Sequence, residues 1–230
     1  MRILAIEQSS TAGSLALLQD DVVVAEEAWL DTRLHTHQLF ALLGPMLTRA
    51  GVAPAGVGVF AVGLGPGSFT GLRIALATAH GLALPGAQTV YGLSSAEALA
   101  ADLAGAGART PILIVGDARR ERIWMGVFDP GTAGLVRRGD WQLASVADIP
   151  AHVGSTGTVA TADWMRLETV LRPAVAGTPG VELVPRPCYP RAATVARLAA
   201  AKLRGGVPSL PLTPLYLHPP VGPAPRAPTG

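Results

Sequence analysis

The sequence predicts an α/β protein built of two similar units, each laid out as three strands followed by helix, strand and helix. Three observations carry that reading. Extended apolar runs open the chain in a group of three, at residues 2–6, 13–18 and 22–29. A second group of three lies in the middle, at 111–115, 122–128 and 135–143. After each group the apolar spacing turns helical and alternates with short strands, the order of an α/β fold.

In chain order, the first run ends at Glu7 and turns through Gln8, Ser9, Ser10 and Thr11, and the second turns at Asp20-Asp21. Leu39, Leu42, Leu43, Met46 and Leu47 have helical spacing and predict a helix over 36–49, which Pro45 should kink or divide. A strand at 57–62 runs into a loop holding Gly63, Gly65, Pro66 and Gly67, and a helix opens at Ser68 or Thr70. Glycine there allows positive φ and close backbone approach, and a hydroxyl can cap free N–H groups. A strand at 88–91 and a helix at 95–103 follow, and the Gly/Ala-rich stretch 104–109 marks a boundary. The strand from 111 leads to Asp117; later come a strand near Val159, a helix over 164–171, a strand at 181–184 and a helix over 192–203. Residues 219–230, PPVGPAPRAPTG, have the composition of a disordered end.

The helix after the glycine loop has two apolar faces. One carries Leu72, Leu76, Ala79 and Ala83, the other Ile74, Ala77, Gly81 and Leu84; between 72 and 84 only Arg73, Thr78 and His80 are polar. A surface helix has one apolar stripe, so this one is expected to be covered twice. Its own domain could supply both covers, or its sheet one and a partner protein the other. The small residues Ala75, Ala77, Ala79 and Gly81 would let another helix approach closely.

Composition narrows the function classes. The 230 residues are 49% apolar, with mean hydropathy +0.37 and net charge +2, which predicts a compact globular chain of one or two domains. The pI near 9.1 reflects few charges rather than a basic stripe, with Lys202 the single lysine. Arg119, Arg120 and Arg122, beside Trp124, form the one basic group worth testing against RNA; the plainer reading is a solvated hairpin tip. Cys188 is alone, so neither an internal disulfide nor a thiolate zinc site is expected, and a reducing cytoplasm is the natural compartment. Glu7 interrupts the first apolar run, which argues against a secretory signal. The uncharged stretch 50–72 is cut by glycines and prolines into turn, strand and loop, so no membrane span is expected.

Catalytic signatures are missing where they would be sought. The loop order G-x-G-P-G matches neither G-x-G-x-x-G nor a P-loop, and no lysine follows. Ser68 lacks the G-x-S-x-G spacing of a nucleophile elbow, and helix capping by Ser68 or Thr70 is the preferred reading. His35 and His37 are two residues apart and diverge by about 200° on a helix, while His80, His152 and His218 are scattered. No metal site and no catalytic residue are expected.

The opening MRILAIEQSS with GSLALL, the central GLGPGSFTGLRIALATAHGLA, the turn VGDARRERIWMGVF and the late PLYL resemble the bacterial TsaB family, also called YeaZ. The resemblance touches most of residues 1–217, and its central motif is highly specific. It implies the actin-like, Hsp70-like ATPase fold of two ribonuclease-H-like βββαβα domains: an N-terminal one over 1–105, a smaller one over 106–218, and a tail over 219–230. It also implies a non-catalytic subunit of the machinery that places a threonylcarbamoyl group on the anticodon-adjacent adenosine of tRNA. The implied partners are a TsaD-type catalytic subunit, which holds the metal, and a TsaE-type ATPase, with a homodimer in isolation and tRNA met only through the complex. By homology to the TsaD paralogue the family is also grouped with glycoprotease-like peptidases, so the rival reading is an ATP- or metal-dependent hydrolase acting alone.

In that fold a hairpin from each domain grips phosphates. The matching positions here are Glu7, Ser9 and Ser10 in the first domain and Asp117 in the second, expected to be vestigial. Glu7 stands where the fold has aspartate, and its extra methylene moves the carboxylate by about 1.5 Å, which Mg²⁺ tolerates badly. Gly-containing turns at 154–157 and 177–180 are weak candidates for an adenosine loop, and no cofactor is expected. The resemblance places a partner interface on the helices over 36–49 and 69–84. Leu39, Leu43, Leu72, Leu76 and His80 are expected at its centre, Arg73 at its rim or capping a helix end, and His35 at its edge. The motif loop Gly65, Pro66, Gly67, Ser68 and Thr70 precedes it. His80, Ala41 and His218 depart from the residues usual in the family, which puts details of pairing in question.

Overall fold

A computed structural model of the chain describes residues 1–30, 35–132 and 134–217, with side chains of the first helix described from Gln38 onward. The expected tail and the side chains of His35, His37 and His218 lie outside that part.

The first half folds as β1 (Arg2–Glu7), β2 (Ala12–Gln19), β3 (Val22–Leu30), α1 (His35–Arg49), β4 (Val59–Gly63), α2 (Phe69–Ala83), β5 (Thr89–Leu93) and α3 (Ser95–Gly105). The second half repeats the order with β6 (Ile112–Asp117), β7 (Ile123–Gly131), β8 (Gly134–Ala144), α4 (Ile149–Val153), β9 (Gly157–Thr161), α5 (Trp164–Ala176), β10 (Val181–Leu183) and α6 (Ala192–Arg204). Each half gives a five-stranded sheet of the same topology, β3-β2-β1-β4-β5 and β8-β7-β6-β9-β10. In each, the first three strands are antiparallel and the rest join in parallel.

Sheet 1 is buried on both faces, which explains the unbroken apolar runs of β1, β2 and β4. On one face Leu4, Ile6, Leu15, Leu17, Phe60 and Val62 pack with Leu39, Leu43 and Met46 of α1 and Ala75 and Ala79 of α2. On the other face Ile3, Ala5, Ala16, Leu18 and Ala61 receive Ala192, Val195, Ala196 and Ala199 of α6. Sheet 2 packs α4 and α5 on one side. On its other side Ile112, Ile114, Trp124 and Phe128 receive Ala96, Leu99, Ala100 and Leu103 of α3.

The two halves therefore exchange their last helices. α3 completes the core of sheet 2 and α6 that of sheet 1, so a cut near residue 105 separates the sheets but not the packing units. The expected smaller domain over 106–218 loses α6 to the first core. α3 and α6 lie against each other between the sheets. Lys202 pairs with Glu97 at 2.8 Å and Arg191 with Asp102 at 2.9 Å, while Thr194 donates to Asp102 at 2.5 Å. Ser14 of β2 accepts from the Ala192 N–H at 2.9 Å, so sheet 1 satisfies a free donor in the first turn of α6.

After α6 the chain returns along the free edge of β5. Gly92 N–H donates to Ser209 Oγ at 2.9 Å, Leu210 N–H to Gly92 O at 3.0 Å, and Leu215 N–H to Leu64 O at 2.8 Å. This strap covers an edge that would otherwise offer unpaired backbone groups. Pro45 does not divide α1, which runs unbroken from His35 to Arg49. Its ring lies on the exposed side together with Ala41, whose carbonyl it leaves without an N–H partner, so water can take that place.

The helix exchange predicts that Asp102→Ala, which strips three charge-assisted bonds from a mostly buried carboxylate, costs about 1–3 kcal/mol of stability, read as a lower urea midpoint in equilibrium unfolding.

Candidate functional site

Two places gather the residues singled out by the sequence: the seam between the sheets and the outer face of α1 and α2. At the seam, β1 delivers Glu7 into the interior, where it is fully buried and accepts the Ser9 N–H at 2.6 Å. Its second oxygen lies over Gly63 beside the Ser95 hydroxyl, where any side chain on Gly63 would collide. Burial pushes the Glu7 carboxyl above the usual carboxylate range, and hydrogen bonds from Ser9 and Ser95 act against that shift.

The motif loop folds down on the turn after β1. Ser68 N–H donates to Ser9 O at 2.7 Å. A Cβ at Gly67 would strike that same carbonyl, and one at Gly71 would strike Gln8 O. Gly65 adopts φ +92 and its N–H donates to Ser95 Oγ at 3.0 Å. Ser68 is the cap of α2, accepting from Gly71 N–H at 3.2 Å, whereas Thr70 is exposed within the first turn. The glycines thus serve contact between two loops of this chain, and the N–H groups of Ser68 and Gly71 are spent on its own oxygens.

Across the seam, Asp117 ends β6. Its N–H donates to Asp163 Oδ2 at 2.9 Å, and its carboxylate accepts from Arg119 N–H at 2.8 Å with the Arg166 guanidinium 3.5 Å away. Asp163 was not foreseen from the sequence; burial raises its pKa, and the Asp117 N–H and Arg166 oppose that. The hairpin holds Arg119, Arg120 and Glu121 at φ +62, +50 and +59, a left-handed run that non-glycine residues seldom adopt. The space left among Ser9, Ser10, Gly67, Trp124 and Asp163 is about 30 Å³, room for a water or two but not for a nucleotide. These residues do not fit a Mg-nucleotide: the first carboxyl is buried in its own core and the second is engaged by arginines. Among the described residues, no three His, Cys, Asp or Glu side chains are grouped to hold a metal ion.

The basic hairpin lacks the stacking surface expected beside it. Trp124 is buried against Gly116 and Trp141, Arg122 donates to Leu143 O, and Arg119 pairs with Asp117. A wider groove of about 570 Å³ lies near Trp29, Leu103, Cys188 and Arg186, but its charged pair, Asp102 and Arg191, is already mutual.

The outer face of α1 and α2 corrects part of the expected interface. Leu39, Leu43 and Leu72 are 0%, 6% and 1% exposed and belong to this chain's own core, because they sit on the helix sides turned to sheet 1. Leu76 is half-buried against the same core. The exposed side is instead Phe40, Ala41, Gly44 and Pro45 of α1 with Phe69, Arg73, Ala77, His80 and Gly81 of α2 and Leu84 just past its end; Phe40, Phe69 and Leu84 are 57%, 53% and 81% exposed. A Cβ added to Gly44 or Gly81 would meet nothing within 4 Å. Neither helix contains an Asp or Glu. Arg73 lies 3.8 Å over the Phe69 ring and donates to the Tyr216 hydroxyl at 2.7 Å, and the two rings stack at 5.0 Å.

The Glu7 environment predicts a signed pH effect. A carboxyl whose pKa is raised on folding favours the folded state below its unfolded pKa, and that contribution falls as pH rises toward the folded value. Glu7→Gln should therefore leave a protein whose thermal midpoint declines less than that of the parent as pH rises above the usual carboxylate range, measured by circular dichroism.

Residues 24–149 match the family model described as TsaD, tRNA N6-adenosine threonylcarbamoyltransferase. The tRNA threonylcarbamoyladenosine biosynthesis protein TsaB of Escherichia coli is 33% identical over 135 residues, covering 59% of this chain and 58% of that one. The protein of the same name in Bacillus subtilis is 33% identical over 128 residues, covering 56% and 55%. The chain thus spans little more than half the length of these curated relatives. YeaZ from Pseudomonas aeruginosa superposes with a TM-score of 0.76 at 25% identity, over 94% of this chain and 99% of that one. Component A of (R)-2-hydroxyglutaryl-CoA dehydratase from Acidaminococcus fermentans superposes with a TM-score of 0.50 at 12% identity, over 89% and 99%, and shares the actin-like ATPase fold alone. The chain belongs to the TsaB/YeaZ group of proteins, related to the TsaD family.

Proposed function

We propose that the protein is an accessory, non-catalytic subunit in the biosynthesis of threonylcarbamoyladenosine in tRNA, acting in the cytoplasm as a scaffold for a TsaD-type catalytic subunit. The relatives' names supply the pathway. The observation that carries the scaffold role is the outer face of α1 and α2. It is mostly apolar, it bears exposed Phe40, Phe69 and Leu84, and a side chain added at either of its helical glycines, Gly44 or Gly81, would meet nothing in this chain. Glycine inside a helix costs about 1 kcal/mol relative to alanine. Bare positions on an apolar face suit the close approach of another helix pair, giving a four-helix contact of more than about 1,000 Å² in all.

The seam supports the non-catalytic part of the reading. With Glu7 buried and Asp117 engaged, the chain offers no open carboxylate pair at the place where actin-like ATPases organise metal and phosphate. On this reading a TsaE-type ATPase and tRNA join through the complex, and in the absence of the catalytic subunit a second copy of this chain can cover the same face. No helix among the described residues is long and apolar enough to cross a membrane.

Co-expression with the TsaD-type subunit of the same organism, followed by size-exclusion chromatography, tests the proposal. The two chains should co-elute, and Ala77→Arg, a large charge in the middle of the exposed face, should weaken association by at least about a hundredfold, or roughly 2.7 kcal/mol, with the monomer's circular dichroism unchanged. Separate elution of the wild-type chains would overturn it.

A further inference from the structure

Of the two described arginines on α1 and α2, only one has a carboxylate partner among the described residues. Arg49 is paired with Glu27 of β3. Among the described residues Arg73 has no carboxylate partner; its Nε donates to the Tyr216 hydroxyl, and no described acceptor engages its Nη groups. The Phe69 ring beneath it and the Tyr216 ring beside it hold the guanidinium plane in place, so the fork is oriented before anything binds. A guanidinium held with its Nη edge free suits a planar anion, and carboxylate matches it with two parallel hydrogen bonds. Phe69 and Ala77, one turn to either side of Arg73 on α2, and the exposed Phe40 and Leu84 elsewhere on the same face make the surroundings mostly apolar, which favours a protein helix over a phosphate backbone as what brings that anion.

Resting on the scaffold reading above, we propose that Arg73 sets the partner preference of this face by receiving an aspartate or glutamate carried on an otherwise apolar helix of the catalytic subunit. A second copy of this chain is then the poorer occupant. A two-fold contact sets the same patch against itself, and α1 and α2 bring no carboxylate to it from either side. Each Arg73 of a homodimer stays uncompensated, a repulsive element that separates the right partner from the self-pair. Tyr216 is a positioning residue, supplied by the strap that crosses sheet 1 from the far end of the chain.

Isothermal titration of the full chain with the TsaD-type subunit, at about 0.05 M and 0.5 M salt, tests this, with sedimentation velocity of the chain alone beside it. Arg73→Ala should weaken the heteromer about tenfold or more at low salt, and the difference from wild type should shrink at high salt. Arg73→Lys should keep part of the affinity and lose the bidentate geometry, and Tyr216→Phe should give a smaller loss in the same direction. Self-association of the wild type should be weaker than the heteromer and should not fall in Arg73→Ala. If wild type binds the catalytic subunit and both Arg73 variants bind within twofold of it, the carboxylate contact is wrong and the scaffold role stands. If wild type does not bind, the scaffold role fails and this inference with it. If Arg73→Ala lowers tRNA binding with subunit affinity unchanged, the fork reads phosphate and the inference is overturned. Should Arg73→Ala prove unfolded by its melting curve, Arg73→Lys and Tyr216→Phe decide between the same outcomes.

Discussion

The exchange of α3 and α6 between the two sheets governs what the rest of the molecule can do. Each sheet needs its inner face covered, and each takes the cover from the other half of the chain. The alanines of the two helices allow close packing, and Asp102 and Glu97 of α3 hold Arg191, Thr194 and Lys202 of α6. Opening the seam would expose apolar surface of two cores and break buried or half-buried charge-assisted bonds together. A hinge of the kind that lets two domains close on a nucleotide has little room in such a construction. The small cavity between the Ser9 turn and Trp124 is the geometric consequence.

The seam and the outer face are joined by the motif loop. Gly67 and Gly71 let the chain rest on the carbonyls of Ser9 and Gln8, and Ser68 caps the helix that starts there. A loop that elsewhere could cradle an anion here fixes where α2 begins and how it is rotated. That rotation turns Leu72, Ala75 and Ala79 to the sheet and presents Phe69, Arg73, Ala77 and His80 outward. The strap then brings Tyr216 to Phe69 and Arg73 while closing the edge of β5. One packing requirement at the centre thus dictates the chemistry of a surface on the outside.

Much of the fold is legible in the sequence because its signals are local. The paired groups of three strands, the glycine loop and the helix at 69–83 follow from apolar runs, turn residues and a capping serine. The helix exchange is not legible, since α3 and α6 have the composition of any alanine-rich buried helix and nothing local says which sheet each covers. The interface residues were misplaced for a related reason. Leu39, Leu43 and Leu72 stand at the helical spacing that marks an apolar face, and spacing alone does not say whether a monomer's own sheet or a partner covers that face. The carboxylate at 163 and the hydroxyl at 216 were missed because each acts on a group distant in sequence, 46 residues away at Asp117 and 143 away at Arg73. Pro45 illustrates a rule overridden by position, because a proline on the solvent side of a packed helix leaves its orphan carbonyl to water.

The stability of the monomer does not explain the face that α1 and α2 leave outside. Gly44 and Gly81 weaken their helices and make no contact that a side chain would disturb. Exposed Phe40 and Leu84 gain little from the fold they belong to. For an isolated globule, alanine at both glycines and charged residues at the apolar tips would be better choices on every local count. Local rules broken together on the outer side of two helices, while the opposite faces of the same helices obey them, support the proposal that a second chain covers this surface. The aromatic platform under Arg73 fits the same logic: ordering a guanidinium in the free protein brings that protein no ion pair, and becomes useful only when an anion arrives.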